Sequence, residues 1–196
     1  MTAIHTICVF CGSGPGRDPA FETAARQLGE AMAAAGIGLV YGGGSTGLMG
    51  TVARAVLAGG GHVTGIIPGF LHTREIKFEG ATEMIVTNDM HERKRLMFEK
   101  ADAFVALPGG IGTLEELVEQ MTWAQLGQHD KPVLIADIGH FWKPLIVLLA
   151  HMREAGFIRE TMEVQYLVAE RVNEIIPMLD QAMHQKALAR QVRQAG

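Results

Sequence analysis

The chain has 196 residues, of which 17 are basic and 21 acidic, for a formal net charge of −4. That length suits one α/β domain with a full core, and the acidic balance gives no electrostatic case for nucleic acid, which needs a dense basic face. No apolar run approaches the ~20 residues of a membrane span, and no basic segment followed by a long apolar stretch opens the chain. The expectation is therefore one soluble cytoplasmic domain over residues 1–196, with 170–196 as a C-terminal helix and tail.

Strand and helix signals alternate from end to end. The first strand is expected over about 5–11 and contains Cys8 and Cys11. Positions three apart on a strand point to opposite faces, so these thiols diverge. With no second cysteine pair and eight scattered histidines, no metal site or redox cofactor is expected. Phe21, Ala24, Ala25, Leu28, Met32 and Ala35 then mark an amphipathic helix. A strand at 37–41 runs into GGGSTGLMG, and the helix after it, about 47–59, stops at Gly59-Gly60-Gly61. Strands follow at 62–67 and 83–87, separated by an irregular connection from Gly69 to Gly80 that carries Arg74 and Glu75. Long connections of this kind are often functional. A third helix covers about 89–101. The strand at 103–107 leads through PGGIGTLEE into a helix over about 113–126. A strand at 132–136, a helix from near Phe141 to Ala155, a short strand near 164–168 and a last helix from Arg171 complete the chain. The final ~20 residues, rich in Gln and Arg, are expected to fray or to pack on a partner.

This alternation implies a Rossmann-like, doubly wound parallel sheet of about seven strands with helices on both faces. Ligands of such sheets bind beyond the carboxyl ends of the strands. Three glycine turns, 12–14, 42–50 and 108–113, follow strand ends and should converge on one crevice. Their backbone can approach a ligand closely, and helix starts favour an anion, most simply a phosphate. Ser13, Gly43, Gly44, Gly47 and Gly109 are the phosphate-turn candidates. Neither long turn has the Gly-Lys-Ser/Thr of a phosphate loop. Gly42, Gly44 and Gly47 satisfy GxGxxG, but no acidic residue on a following strand is placed for a ribose.

Two groups stand out chemically. Glu116 completes T-x-x-E with Thr113 and could simply be half of a capping box. A stripe of Leu114, Leu117, Val118 and Met121 would instead turn Glu116 outward, beside the phosphate site. The two readings stand level. In the third helix, Arg93 and Lys94 share the face of Met90 and Met97, while Glu92, Arg95 and Glu99 form a solvated face. Cations on a core-facing stripe either snorkel at its edge or meet an anion such as a phosphate or Glu116. Thr122 could bond only to its own helix. Asp137 has a turn role or a place at the crevice edge, and His91 reads as surface.

The motifs CVFCGS at 8–13, YGGGSTGLMG at 41–50, MHERK at 90–94, PGGIGTLEE at 108–116 and TWAQLG at 122–127 resemble those of the LOG ("Lonely guy") family. These are cytokinin riboside 5′-monophosphate phosphoribohydrolases, and many bacterial members carry the label lysine decarboxylase. The resemblance covers about residues 5–170. It implies hydrolysis of the N-glycosidic bond of an adenine-type nucleoside 5′-monophosphate, AMP or its N6-substituted relatives, to a free base and ribose 5-phosphate. It implies Arg93 and Glu116 as the catalytic pair. Nucleotide contacts are implied at Glu75, Arg93, Lys94, Gly110, Ile111, Gly112, Thr113, Leu114, Glu115, Glu116 and Thr122. No cofactor is implied, and the expected assembly is a homodimer or larger with sites near the subunit interface. The chain departs at Ile111, where many members have Tyr, and at Pro68-Gly69-Phe70, where many plant members have Lys. Both departures bear on substrate preference. The rival expectations are a non-catalytic nucleotide or phosphate-ligand binder on the same scaffold, and a pyridoxal-dependent decarboxylase, which would need a Schiff-base lysine.

Overall fold

The computed structural model describes residues 4–71, 80–159 and 162–195, with side chains through 188. Seven strands, β1 (Thr6–Phe10), β2 (Gly38–Tyr41), β3 (Val63–Pro68), β4 (Glu83–Thr87), β5 (Ala103–Ala106), β6 (Val133–Ala136) and β7 (Leu167–Ala169), form one sheet in the order β4-β3-β2-β1-β5-β6-β7. Every neighbouring pair is parallel. The helices are α1 (Pro19–Ala34), α2 (Gly47–Ala58), α3 (Met90–Lys100), α4 (Ile111–Gln125), α5 (Lys143–Glu154) and α6 (Val172–Ala195). The doubly wound α/β expectation therefore holds.

Alternation along the strands splits the core into two layers. Ile7 and Val9 of β1, Val105 of β5 and Leu134 of β6 face a layer closed by α1, α2 and α6. Cys8, Phe10, Phe104 and Ile135 face the other, closed by α3, α4 and α5. Cys8 and Cys11 are free, buried thiols that join opposite layers. Local signals set the starts of α1 and α3. Asp18 caps α1 by accepting the Ala20 N–H at 2.8 Å, with Pro19 next. Asp89 caps α3 by accepting the Glu92 N–H at 2.8 Å.

Two boundaries differ from expectation. β7 lies at Leu167–Ala169 because only those residues pair with Leu134–Ala136 of β6; Val164 and Tyr166 pack instead against the α3–α5 layer. Ahead of α5, a 3-10 turn at Ile138–His140 puts Gly139 and His140 at φ near +60°. Asp137 closes it by accepting the Trp142 N–H at 2.6 Å, which assigns Asp137 to the turn. No helix among the described residues is long and apolar enough to cross a membrane.

Candidate active site

The strand order reverses beside β1. The chain leaves β1 toward α1 on one face of the sheet and leaves its neighbour β5 toward α4 on the other. Such a reversal opens a crevice at the carboxyl edge, and the three glycine turns meet there. The Gly12 N–H donates to Pro108 O at 3.1 Å, and the Thr46 hydroxyl donates to Ser13 O at 3.1 Å. A Cβ on Gly109 would fall 2.9 Å from the Gly12 nitrogen and would strike Thr113 Oγ1. Gly47, at φ +57°, sits hard against Ser13 O, and Gly43, at φ +80°, against Ile66 and Ile67. These glycines are set by the packing of turn on turn. Ser13 itself is exposed, and Gly44 is buried.

The two helix starts at the crevice are not equivalent. The Leu48 and Met49 N–H groups, in the first turn of α2, both donate to Gly12 O, at 3.1 and 3.3 Å. That helix start is tied to the β1 turn. In α4 the cap is Gly110, with no side-chain hydrogen bond, and the first bond along the helix is Leu114 N–H to Gly110 O at 3.1 Å. The N–H groups of Ile111, Gly112 and Thr113 have no partner among the described residues, and Gly110, Ile111 and Gly112 are exposed. The unspent positive end of a dipole therefore opens at α4.

The capping-box expectation fails here. The helix begins at Ile111, so Thr113 is its third residue, buried beneath Gly109, and Glu116 lies in the second turn. The expectation that Val118 is buried and Glu116 faces outward fails with it, although Leu117 and Met121 are buried as expected. The buried face of α4 is Thr113, Glu116, Leu117, Gln120 and Met121, while Val118 and Ile111 are exposed. Leu114 is half-buried. Glu116 thus points into the molecule with 8% of its surface accessible, and its Oε1 lies 3.1 Å from Arg93 Nη1. Arg93, 9% accessible, also donates from Nε to Ile66 O at 3.2 Å and from Nη1 toward Met90 Sδ at 4.0 Å. It does not snorkel; it has a carboxylate as its anion. Burial pushes the Glu116 carboxyl above the usual glutamate range, and the Arg93 charge pulls part of that back. Burial, reinforced by the Glu116 charge, also raises the thiols of Cys8 and Cys11, so neither is a ready nucleophile.

Lys94 occupies a separate station. Its Nζ donates to Glu115 Oε1 at 2.6 Å and to Glu119 Oε1 at 2.9 Å. Burial works against its charge, but the two carboxylates outweigh that and hold the ammonium above the ordinary lysine range. Lys94 is therefore engaged between α3 and α4. Glu119 was legible in the sequence only as the residue one turn beyond Glu115 on α4. Thr122 is exposed and donates its hydroxyl back to Val118 O at 2.7 Å, the self-bonded alternative. Arg95 and Glu99 form the expected surface pair at 3.8 Å. Glu75 and Arg74 lie outside the described residues. No cluster of three or more His, Cys, Asp or Glu suited to a metal occurs among the described residues.

Residues 49–179 match a protein family described as "possible lysine decarboxylase". The chain is 45% identical, over 192 residues, to a probable cytokinin riboside 5′-monophosphate phosphoribohydrolase of Oryza sativa subsp. japonica, covering 97% of this chain and 79% of that protein. It is 46% identical, over 175 residues, to a cytokinin riboside 5′-monophosphate phosphoribohydrolase of Arabidopsis thaliana, covering 89% of this chain and 81% of that one. Among solved structures, a molybdenum cofactor binding protein from Rippkaea orientalis superposes with a TM-score of 0.68 over 91% of this chain and 97% of that chain. At 22% identity that likeness speaks to the fold alone.

Proposed function

Because the chain belongs to the family that includes these phosphoribohydrolases, we propose that it hydrolyses the N-glycosidic bond of adenine-type nucleoside 5′-monophosphates, releasing the free base and ribose 5-phosphate. The observation that carries this reading is the buried Arg93–Glu116 contact beneath the open start of α4.

In this mechanism the 5′-phosphate sits on the N–H groups of Ile111, Gly112 and Thr113, where the helix dipole favours an anion. That anchor fixes the distance from phosphate to C1′ and holds the sugar over the buried pair. Breaking the bond from C1′ to the base builds positive charge on the ribose ring. The Glu116 carboxylate stabilises that charge or takes a proton from the attacking water. The Arg93 charge offsets part of the burial that raises the carboxyl's pKa, and the contact fixes the carboxylate's rotamer. Lys94, between Glu115 and Glu119, locks α3 to α4 and so holds Arg93 in register with Glu116. A Schiff-base lysine needs a neutral amine, and the environment of Lys94 favours the charged form. This disfavours a decarboxylase at this site.

The assembly we propose is a homodimer in the cytoplasm. Ile111 is 82% exposed, and Val118 and Leu126 follow it along the solvent side of α4, an apolar stripe that starts at the lip of the site. A second copy is the simplest cover for it. Two free cysteines fit a reducing compartment. The decisive experiment incubates the purified protein with AMP and with N6-substituted adenosine monophosphates and quantifies free base and ribose 5-phosphate by chromatography. Equimolar products support the reading; binding without release of base would replace it with a nucleotide-binding protein.

A further inference from the structure

We infer that Gly42 is a positioning residue for Arg93: by having no side chain, it leaves the space through which the guanidinium reaches Glu116 and turns its free edge toward the crevice. This rests on the hydrolase reading above and extends it to a residue outside the acid and its arginine.

Gly42 directly follows β2 and opens the second glycine turn. Its backbone does not require glycine, since its φ lies outside the left-handed region. Gly43 and Gly47 in the same turn differ in this respect, at φ +80° and +57°. Space is what Gly42 provides. A Cβ there would collide with Arg93 Nη2 and would lie 3.6 Å from Arg93 Cζ and 3.1 Å from Met49 Sδ. The guanidinium is otherwise fully committed on its other two nitrogens. Nε is held by Ile66 O at 3.2 Å, and Nη1 by Glu116 Oε1 at 3.1 Å. Nη2 donates to no group among the described residues and lies over Gly42. One edge of Arg93 therefore fixes the carboxylate, and the remaining N–H pair stands at the turn, available to an oxygen of the ligand. A methyl at position 42 would displace the flexible end of Arg93 and leave the backbone where it is. It would move the guanidinium off the carboxylate by a fraction of an ångström or more without disturbing the α4 anchor.

The test is a two-by-two cycle of Gly42→Ala and Arg93→Lys, because lysine has no atom equivalent to Nη2. In the Arg93 protein, Gly42→Ala is expected to lower kcat roughly 10²-fold, the scale of a misplacement of about 1 Å, with KM changed less than about threefold. In the Arg93→Lys protein, the same alanine is expected to change kcat less than about threefold, since the two residues act as one unit. The cycle is also read in thermal unfolding, where Gly42→Ala should lower Tm only when Arg93 is present. If Gly42→Ala does not fold, the Gly42→Ala/Arg93→Lys double variant should fold, which again supports the inference. Normal kcat in Gly42→Ala, or penalties on kcat and Tm that simply combine in the double variant, would overturn it. A wild-type protein that releases no base would instead count against the hydrolase reading, while the Tm cycle would still decide the steric role of Gly42.

Discussion

On one side of the sheet, α1, α2 and α6 close an apolar layer in which Gly29 of α1 packs against Ala55 and the Val52 carbonyl of α2. Leu188 is the one large apolar residue of these three helices that stands exposed among the described residues. On the other side, α3, α4 and α5 bury an arginine and a glutamate against each other and leave Ile111, Val118, Val147, Leu148 and Met152 in solvent. The first side is finished by its own packing. The second sets a buried ion pair beside its apolar layer and leaves hydrocarbon outside. A buried ion pair contributes little net stability, because desolvation consumes most of the attraction; an exposed apolar stripe contributes none until something covers it. The α3–α5 side is therefore where function should be lost by mutation, and the α1–α2 side is where stability should be lost.

The largest effect that would sharpen this contrast is on turnover. Glu116→Gln is expected to fold normally and to lose about 10²–10⁴ in kcat, the range for one acid–base group; near-normal release of base would remove Glu116 from the chemistry. On the opposite side, Gly29→Leu is expected to destabilise by about 1–3 kcal/mol through overpacking of α1 on α2, measured by denaturant unfolding. The folded fraction should keep its kcat, and a loss of kcat without a loss of stability would break the division between the two faces.

The pH profile reads the same contrast more finely. Glu116 acts as a carboxylate, so the rate should fall as pH is lowered through its pKa, which burial raises above the ordinary glutamate range. The acid limb of kcat should therefore lie above that range. Because Arg93 holds the pKa down, Arg93→Lys, which leaves the replacement cation less well placed, should move the limb to higher pH; no movement would separate Arg93 from the titration. Val118→Asp should lower the sedimenting mass toward one chain; an unchanged mass would remove this stripe from the interface. The smallest effect expected is from Thr122→Val, whose hydroxyl donates to its own helix, with kcat and stability close to wild type; a raised KM would restore Thr122 as a nucleotide contact.

How much of this was legible in the sequence depends on the range of the signal. The alternation of apolar strands and amphipathic helices fixed the fold class, because burial on both faces of a parallel sheet leaves that imprint residue by residue. The glycine turns at the ends of β1, β2 and β5 could be read as convergent, because parallel strands bring all their carboxyl ends to one edge. The shared face of Arg93 and Met97 followed from helical period alone, and so did the divergence of Cys8 and Cys11 from strand period.

The errors cluster on α4. T-x-x-E at Thr113–Glu116 is a sound local capping signal, yet the helix starts at Ile111 because Gly110 turns the chain there and Thr113 packs beneath Gly109. Glu116 faces inward because α4 presents its Thr113–Glu116–Leu117–Gln120 flank to the interior, and no local rule registers which flank of a helix meets the sheet and which meets α3. Likewise Lys94 has its carboxylates only because α3 and α4 lie side by side, and Gly42 is constrained by an arginine 51 positions along the chain. Sequence periodicity determined what kind of elements form and which residues share a face. The tertiary structure decided which faces meet, since the pairing of Arg93 with Glu116 depends on contacts between segments whose separation along the chain carries no local energetic signature.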